Sequence, residues 1–177
     1  DIKAAETSDN KQTFCGGFVG ITDGVVSIQN VRFKANTVTS KSHYAGGFVG
    51  YISNGYDRDD NKDEQGQLYK GETIFENIQS EVNFVTAKNS TAGGFAGRFY
   101  VSPINLPVTF KNIASYAQNV TADYWAGGFM GTMRYDDNKF SNNDKNKQHT
   151  FKNISSVALV KGIHKNDDSD HASTAAG

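Results

Sequence analysis

The sequence predicts an all-β protein built of stacked repeats, a solenoid. Three observations predict it. A glycine-rich string recurs four times, a second string recurs between its copies at near-constant spacing, and the segments joining the two have the composition of strands.

The first string occupies 14–20, 44–50, 91–97 and 125–131. It reads Phe14-Cys15-Gly16-Gly17-Phe18-Val19-Gly20, Tyr44-Ala45-Gly46-Gly47-Phe48-Val49-Gly50, Thr91-Ala92-Gly93-Gly94-Phe95-Ala96-Gly97 and Trp125-Ala126-Gly127-Gly128-Phe129-Met130-Gly131. A unit repeated at this scale is a structural unit that stacks on its neighbours. Twelve of the 18 glycines lie in these copies, so the glycine excess is architectural. Paired glycines before a strand allow positive φ and close backbone approach. Phe18, Phe48, Phe95 and Phe129 are expected to point inward and stack. The residue after each Phe is expected to face the opposite side of its strand. The closing Gly20, Gly50, Gly97 and Gly131 are expected to turn the chain or end the strand.

The second string is apolar-x-Asn-apolar: Ile28-Gln29-Asn30-Val31, Phe75-Glu76-Asn77-Ile78, Phe110-Lys111-Asn112-Ile113 and Phe151-Lys152-Asn153-Ile154. From its first residue to the first glycine of the motif that follows takes 18, 18 and 17 positions (Ile28 to Gly46, Phe75 to Gly93, Phe110 to Gly127). Asn30, Asn77, Asn112 and Asn153 are expected at an inward bend, each amide bonding its neighbour one repeat away. The spacers, such as Val82–Ala87 and Ala114–Ala122, carry β-branched and aromatic residues. No stretch keeps a helical period with caps.

Insertions fall at one register, between the glycine motif and the next Asn string. They run to 7, 24, 12 and 19 residues. Insertions at one register of a stack emerge on one side of it. The two longest are polar. They carry Tyr56, Tyr69, Tyr135 and Phe140, the candidate contact residues for a partner or sugar face. Tyr51 flanks the first of them, Phe99 and Tyr100 lie in the 12-residue insertion, and aromatic residues at all these places serve equally to pin an insert to the wall. Residues 1–177 read as one repeat segment, and the polypeptide is expected to continue past Gly177 and before Asp1.

Composition excludes several classes. The net charge is −1, which provides no overall basic field for nucleic acid. No apolar run approaches the ~20 residues of a membrane span. A single cysteine rules out an internal disulfide. Cys15 takes the slot of Ala45, Ala92 and Ala126, as a small buried residue would.

The pattern Gly-Gly-Phe-Val-Gly, loop, apolar-x-Asn-apolar, Thr/Val-rich strand, then Ala-Gly-Gly-Phe resembles the GLUG-motif repeats over residues 14–160. Phe replaces the usual Leu in all four copies. The resemblance implies a parallel β-helix or β-solenoid. It also implies an extracellular setting at the surface of a bacterium, in a large secreted or autotransporter-type adhesin or the non-catalytic region of a surface protease.

Catalytic chemistry is not expected. No nucleophile motif, phosphate loop or metal box is present. Glu76 and Glu81 are the acids on strand-like segments of the second unit, where a β-helical polysaccharide lyase or hydrolase would need them. No cofactor is expected beyond a candidate Ca²⁺ site at Asp57, Asp59, Asn61 and Asp63. An EF-hand reading fails there, because Lys62 stands where Gly should and Leu68 where Glu should. His164 and His171 bracket three aspartates in a polar stretch. Asn89, Asn119 and Asn153 begin glycosylation sequons. The expected function is adhesion or display of binding loops toward a host-cell or matrix glycan or protein, or toward other copies of the chain. The alternative is a stalk or substrate-positioning region of a secreted enzyme.

Overall fold

A computed structural model describes residues 1–4, 12–53, 71–101, 106–135, 149–162 and 174–176. A short strand β1 (Ile2–Ala4) precedes the first coil, formed by β2 (Phe14–Gly16), β3 (Val19–Thr22) and β4 (Ser27–Ser40). The second coil is β5 (Tyr44–Gly46), β6 (Val49–Ser53) and β7 (Thr73–Ala87). The third is β8 (Thr91–Gly93), β9 (Ala96–Val101) and β10 (Val108–Ala122). The fourth is β11 (Trp125–Gly127), β12 (Met130–Tyr135) and β13 (Thr150–Gly162), and β14 (Thr174–Ala176) begins a fifth.

These strands form three sheets, and every pairing between coils is parallel. The long sheet runs β1-β4-β7-β10-β13, the short sheet β14-β11-β8-β5-β2, and the third sheet β12-β9-β6-β3. The fold is a parallel β-helix. The repeat found in the sequence is its coil: glycine motif in the short and third sheets, Asn string and spacer in one long strand. Among the described residues there is no helix.

The core has two lobes. One packs the first half of the long sheet (Phe75, Ile78, Phe110, Ile113) against the third sheet (Val49, Ile52, Phe99, Val101). The other packs the second half (Val82, Val85, Val120) against Cys15, Ala45, Ala92 and Ala126 of the short sheet. Small residues on the short sheet let it lie close, which explains why Cys15 shares a slot with three alanines. Phe33 packs against both lobes.

Two aromatic columns run along the axis. Phe18, Phe48, Phe95 and Phe129 stack with centroids 4.9, 5.1 and 5.0 Å apart and rings within 12° of parallel. Phe75, Phe110 and Phe151 form the second column at 5.2 and 4.9 Å. These distances follow the ~4.8 Å strand spacing, so the ladder dictates the stacking. The columns meet edge to face, as at Phe95 and Phe110 (6.3 Å, 85°). That is the arrangement ring quadrupoles favour.

The motif glycines act through close approach alone. Among the described glycines only Gly24 and Gly71 have positive φ, so the expected left-handed conformation at the motif is not found. A Cβ on Gly46 would lie 1.8 Å from the Val49 carbonyl oxygen, and one on Gly47 would lie 2.0 Å from that of Gly94. The closing glycines do not end strands as expected. Gly50 and Gly97 lie inside β6 and β9, where a Cβ on Gly97 would meet the Gly50 and Ala45 carbonyl oxygens at 2.6 and 2.7 Å. The short and third sheets thus touch backbone to backbone. Val49 and Ala96 also enter the same lobe as Phe48 and Phe95, instead of facing away.

Phe95 is fully buried in the middle of its column. Phe95→Ala should cost roughly 3–5 kcal/mol in denaturant unfolding. Gly93→Ala, which would place a Cβ 1.9 Å from the Ala96 carbonyl oxygen, should be worse than Gly20→Ala, whose nearest contact is 3.0 Å. Equal unfolding midpoints for the two glycine variants would refute the backbone-contact account.

Candidate functional site

Asn30, Asn77, Asn112 and Asn153 form a continuous amide ladder. The Asn77 side-chain amide donates to Oδ1 of Asn30 at 3.0 Å, Asn112 to Asn77 at 2.8 Å, and Asn153 to Asn112 at 2.9 Å. All four residues are exposed, so the bend points outward rather than inward as expected. Their φ values are 57°, 55°, 53° and 54°, in the left-handed region. Asn tolerates that region better than other residues with a side chain. The asparagines therefore provide the positive φ expected of the glycines. Each one breaks the long strand at the same place and stitches the break to the next coil.

A second polar cluster lies on the outer face of the long sheet. Glu81 pairs with Lys34 and, at 3.8 Å, with Arg32. The Gln79 amide donates to Glu81 Oε1 at 2.8 Å. The hydrogen bond from Lys34 is the main cause holding the Glu81 carboxyl below its usual range. Its contribution to stability is therefore present above the ordinary carboxylate range and is lost as the pH falls through the lowered value. Glu76 accepts from Lys111 at 2.5 Å. The two strand carboxylates named in the sequence are thus both engaged by lysine. The Asn83 amide donates to Asn36 Oδ1 at 3.0 Å on the same face.

Arg98 of β9 lies among aromatic rings. Its guanidinium is 5.0 Å from the Tyr44 centroid, 5.8 Å from Tyr51 and 5.7 Å from Tyr100, and it donates to the Tyr44 hydroxyl. Phe14 packs on Tyr51 at 4.8 Å. Tyr51 is only 5% exposed and Phe99 is fully buried, so these two are wall residues and not contact aromatics. Nearby, Thr13, Ser40, Ser42 and His43 share a hydroxyl chain, with Ser42 Oγ 3.0 Å from His43 Nδ1. It ties the 41–43 turn to the preceding coil.

His149 stands where the last insertion returns to the long sheet. Its Nδ1 accepts from the Val108 N–H at 3.2 Å, and its ring meets Phe99 edge-on at 5.0 Å. Burial lowers its pKa from 6.5. The bond needs the neutral ring, because protonation would put an N–H against the Val108 N–H.

Tyr56, Tyr69, Phe140 and the Ca²⁺ candidates Asp57, Asp59, Asn61 and Asp63 lie outside the described residues, as do His164 and His171. Tyr135 is the last residue of β12. Among the described residues no three His, Cys, Asp or Glu side chains group as metal ligands, and no helix is long and apolar enough to cross a membrane. Sequence reasoning missed the exposed rings of Phe84 and Tyr116, 40% and 47% exposed on the outer face of the long sheet. Aligning the spacers coil by coil would have found them. Phe84 pairs with Thr37 and Asn119, and Tyr116 with Glu81 and Val157, so each sits in a mixed outward column. Comparison with protein-family models, curated proteins and solved structures returned no match.

Two outcomes are expected. Asn112→Gly keeps the left-handed backbone and loses the ladder, while Asn112→Ala loses both. Ala should be less stable than Gly by about 1 kcal/mol in chemical denaturation, and the reverse order would sink the account. His149 should titrate below 6.5 by NMR. Its stabilisation is full above 6.5 and is lost as the pH falls through the lowered value. His149→Gln, which retains an acceptor, should flatten the fall in thermal midpoint over that window.

Proposed function

We propose that this chain is a non-catalytic segment of a large bacterial cell-surface or secreted protein, acting in adhesion or display of binding loops. The observation that carries the reading is a division of labour along each coil. The motif and the Asn string keep their length and register from coil to coil, and the long strand keeps its register over the first three coils and shifts by one residue in the fourth. Most length variation falls in the segments that lead from the third sheet to the long sheet, 23–26, 54–72, 102–107 and 136–149; the links from the long sheet to the short sheet are two or three residues long except the last, 163–173. A rigid repeat that varies at one corner presents different side chains from a constant support. The GLUG-like pattern supports the same reading and the extracellular setting.

The environment of Glu81 supports a non-catalytic role. A general acid in glycan cleavage needs a raised pKa, whereas Lys34 lowers that of Glu81. The partners would be a host-cell or matrix glycan or protein.

Deleting residues 55–70 tests the reading. The variant should keep its β-sheet circular dichroism and thermal midpoint, and its binding to host cells or matrix should fall. Unfolding on deletion would make the insertion structural and would remove the display reading.

A further inference from the structure

Charge is segregated in this molecule. The strands of the long sheet carry six cations, Lys3, Arg32, Lys34, Lys111, Lys152 and Lys161, against two carboxylates, Glu76 and Glu81. Asp1 adds a third carboxylate to the same face, where it accepts from Thr37 at 2.7 Å and Asn36 at 3.4 Å, which leaves a surplus of three positive charges in a chain whose net charge is −1. These side chains alternate with the core residues, so they share the outer face. The two strand carboxylates are engaged locally, Glu76 by Lys111 and Glu81 by Lys34 and Arg32. Lys152 and Lys161 are exposed on β13, and Lys3 is exposed on β1.

The same face carries the exposed aromatic rings. Tyr116 borders a depression of about 280 Å³ with Gln79, Glu81 and Ser155. A second depression, of about 440 Å³, shares Glu81 and is lined by Lys34, Asn36 and Asn83. Phe84 is one strand away from Tyr116 and three residues along, or roughly 10 Å along the strand direction. Flat apolar rings accept the C–H faces of sugars, and side-chain amides offer both donors and acceptors to hydroxyls.

We propose that the outer face of the long sheet binds a uronate-bearing polysaccharide, its carboxylates meeting the lysine surplus and its rings lying against Tyr116 and Phe84. The proposal rests on the adhesion reading, and it adds a contact on the sheet to that of the insertions. A uronate polymer suits a sparse surplus of cations better than a nucleic acid does. Duplex DNA carries one charge per ~1.7 Å and needs a denser basic field than a chain of net charge −1 supplies.

The test uses the full chain with polygalacturonate, its methyl ester, and duplex DNA as probes. Polygalacturonate should bind, and more weakly as salt rises. The methyl ester, which keeps the rings and loses the charge, should bind poorly. Lys152→Glu with Lys161→Glu, both on exposed positions, should lower polygalacturonate affinity about tenfold with unchanged circular dichroism. Tyr116→Ala should weaken it further, and deletion of 55–70 should leave it unchanged. No binding of polygalacturonate, equal binding of the methyl ester, tighter binding of DNA, or an unaffected double variant would each overturn the proposal. Cell binding separates this failure from failure of the adhesion reading. Cell binding lost on deletion of 55–70 but kept in the double variant leaves adhesion standing and removes the sheet face. Absence of cell binding by the unaltered chain removes both.

Discussion

The contact of the short sheet with the third sheet, backbone against backbone, is the constraint from which the rest of the coil follows. It admits no side chain. Every Cβ placed on Gly46, Gly93 or Gly127 would lie under 2 Å from a carbonyl oxygen of its own coil. Because these two sheets close on each other, the remaining interior is divided into lobes on either side. The long sheet must then span both lobes, which is why its strands in the four coils run to 13–15 residues while those of the short sheet have three.

A long strand that faces two lobes needs a break, and the Asn ladder supplies it. A left-handed residue in mid-strand turns the chain while parallel pairing resumes on either side of it. Glycine would serve the backbone equally well. Asn adds a hydrogen bond to the next coil, so the strained position is also a register mark. The phenylalanine columns act in the same direction. Each ring stacks at the strand spacing, and a slip of one residue would carry the whole column to the wrong face.

The repeat, the all-β class and the stacking of Phe18, Phe48, Phe95 and Phe129 were legible because each rests on identity between copies. The spacing of 18, 18 and 17 residues already contained the coil. What could not be read was direction. Whether Asn77 lies inside or outside its bend depends on which lobe the bend borders. That is set by the glycine contact, a relation between strands of different sheets. The same holds for the role of glycine. Positive φ and close approach both call for a missing Cβ, and sequence alone does not distinguish them. Tyr51 and Phe99 were read as beside and within an insertion, open either to contact or to pinning, and their strand register turns them into the wall. The outward columns holding Phe84 and Tyr116 became visible only once the coils were in register. In sequence, each is one aromatic residue in a strand-like run.

A β-helix of this kind separates what must repeat from what is free to vary, and the two kinds of surface answer to different physics. On the long sheet the strand spacing of ~4.8 Å imposes regularity on every column. Charges there meet their neighbours at fixed distances, as Lys111 meets Glu76 and Lys34 meets Glu81. Like charges in one column would repel, and the alternation Gln29, Glu76, Lys111 keeps most of that column paired. Lys152 ends the column as a cation beside Lys111, and Lys161 ends a column of threonines. Such sites add little to folding, since exposed ion pairs contribute at most about 1 kcal/mol. The surplus of one sign on the most regular face of the molecule, beside exposed rings, therefore owes little to folding stability.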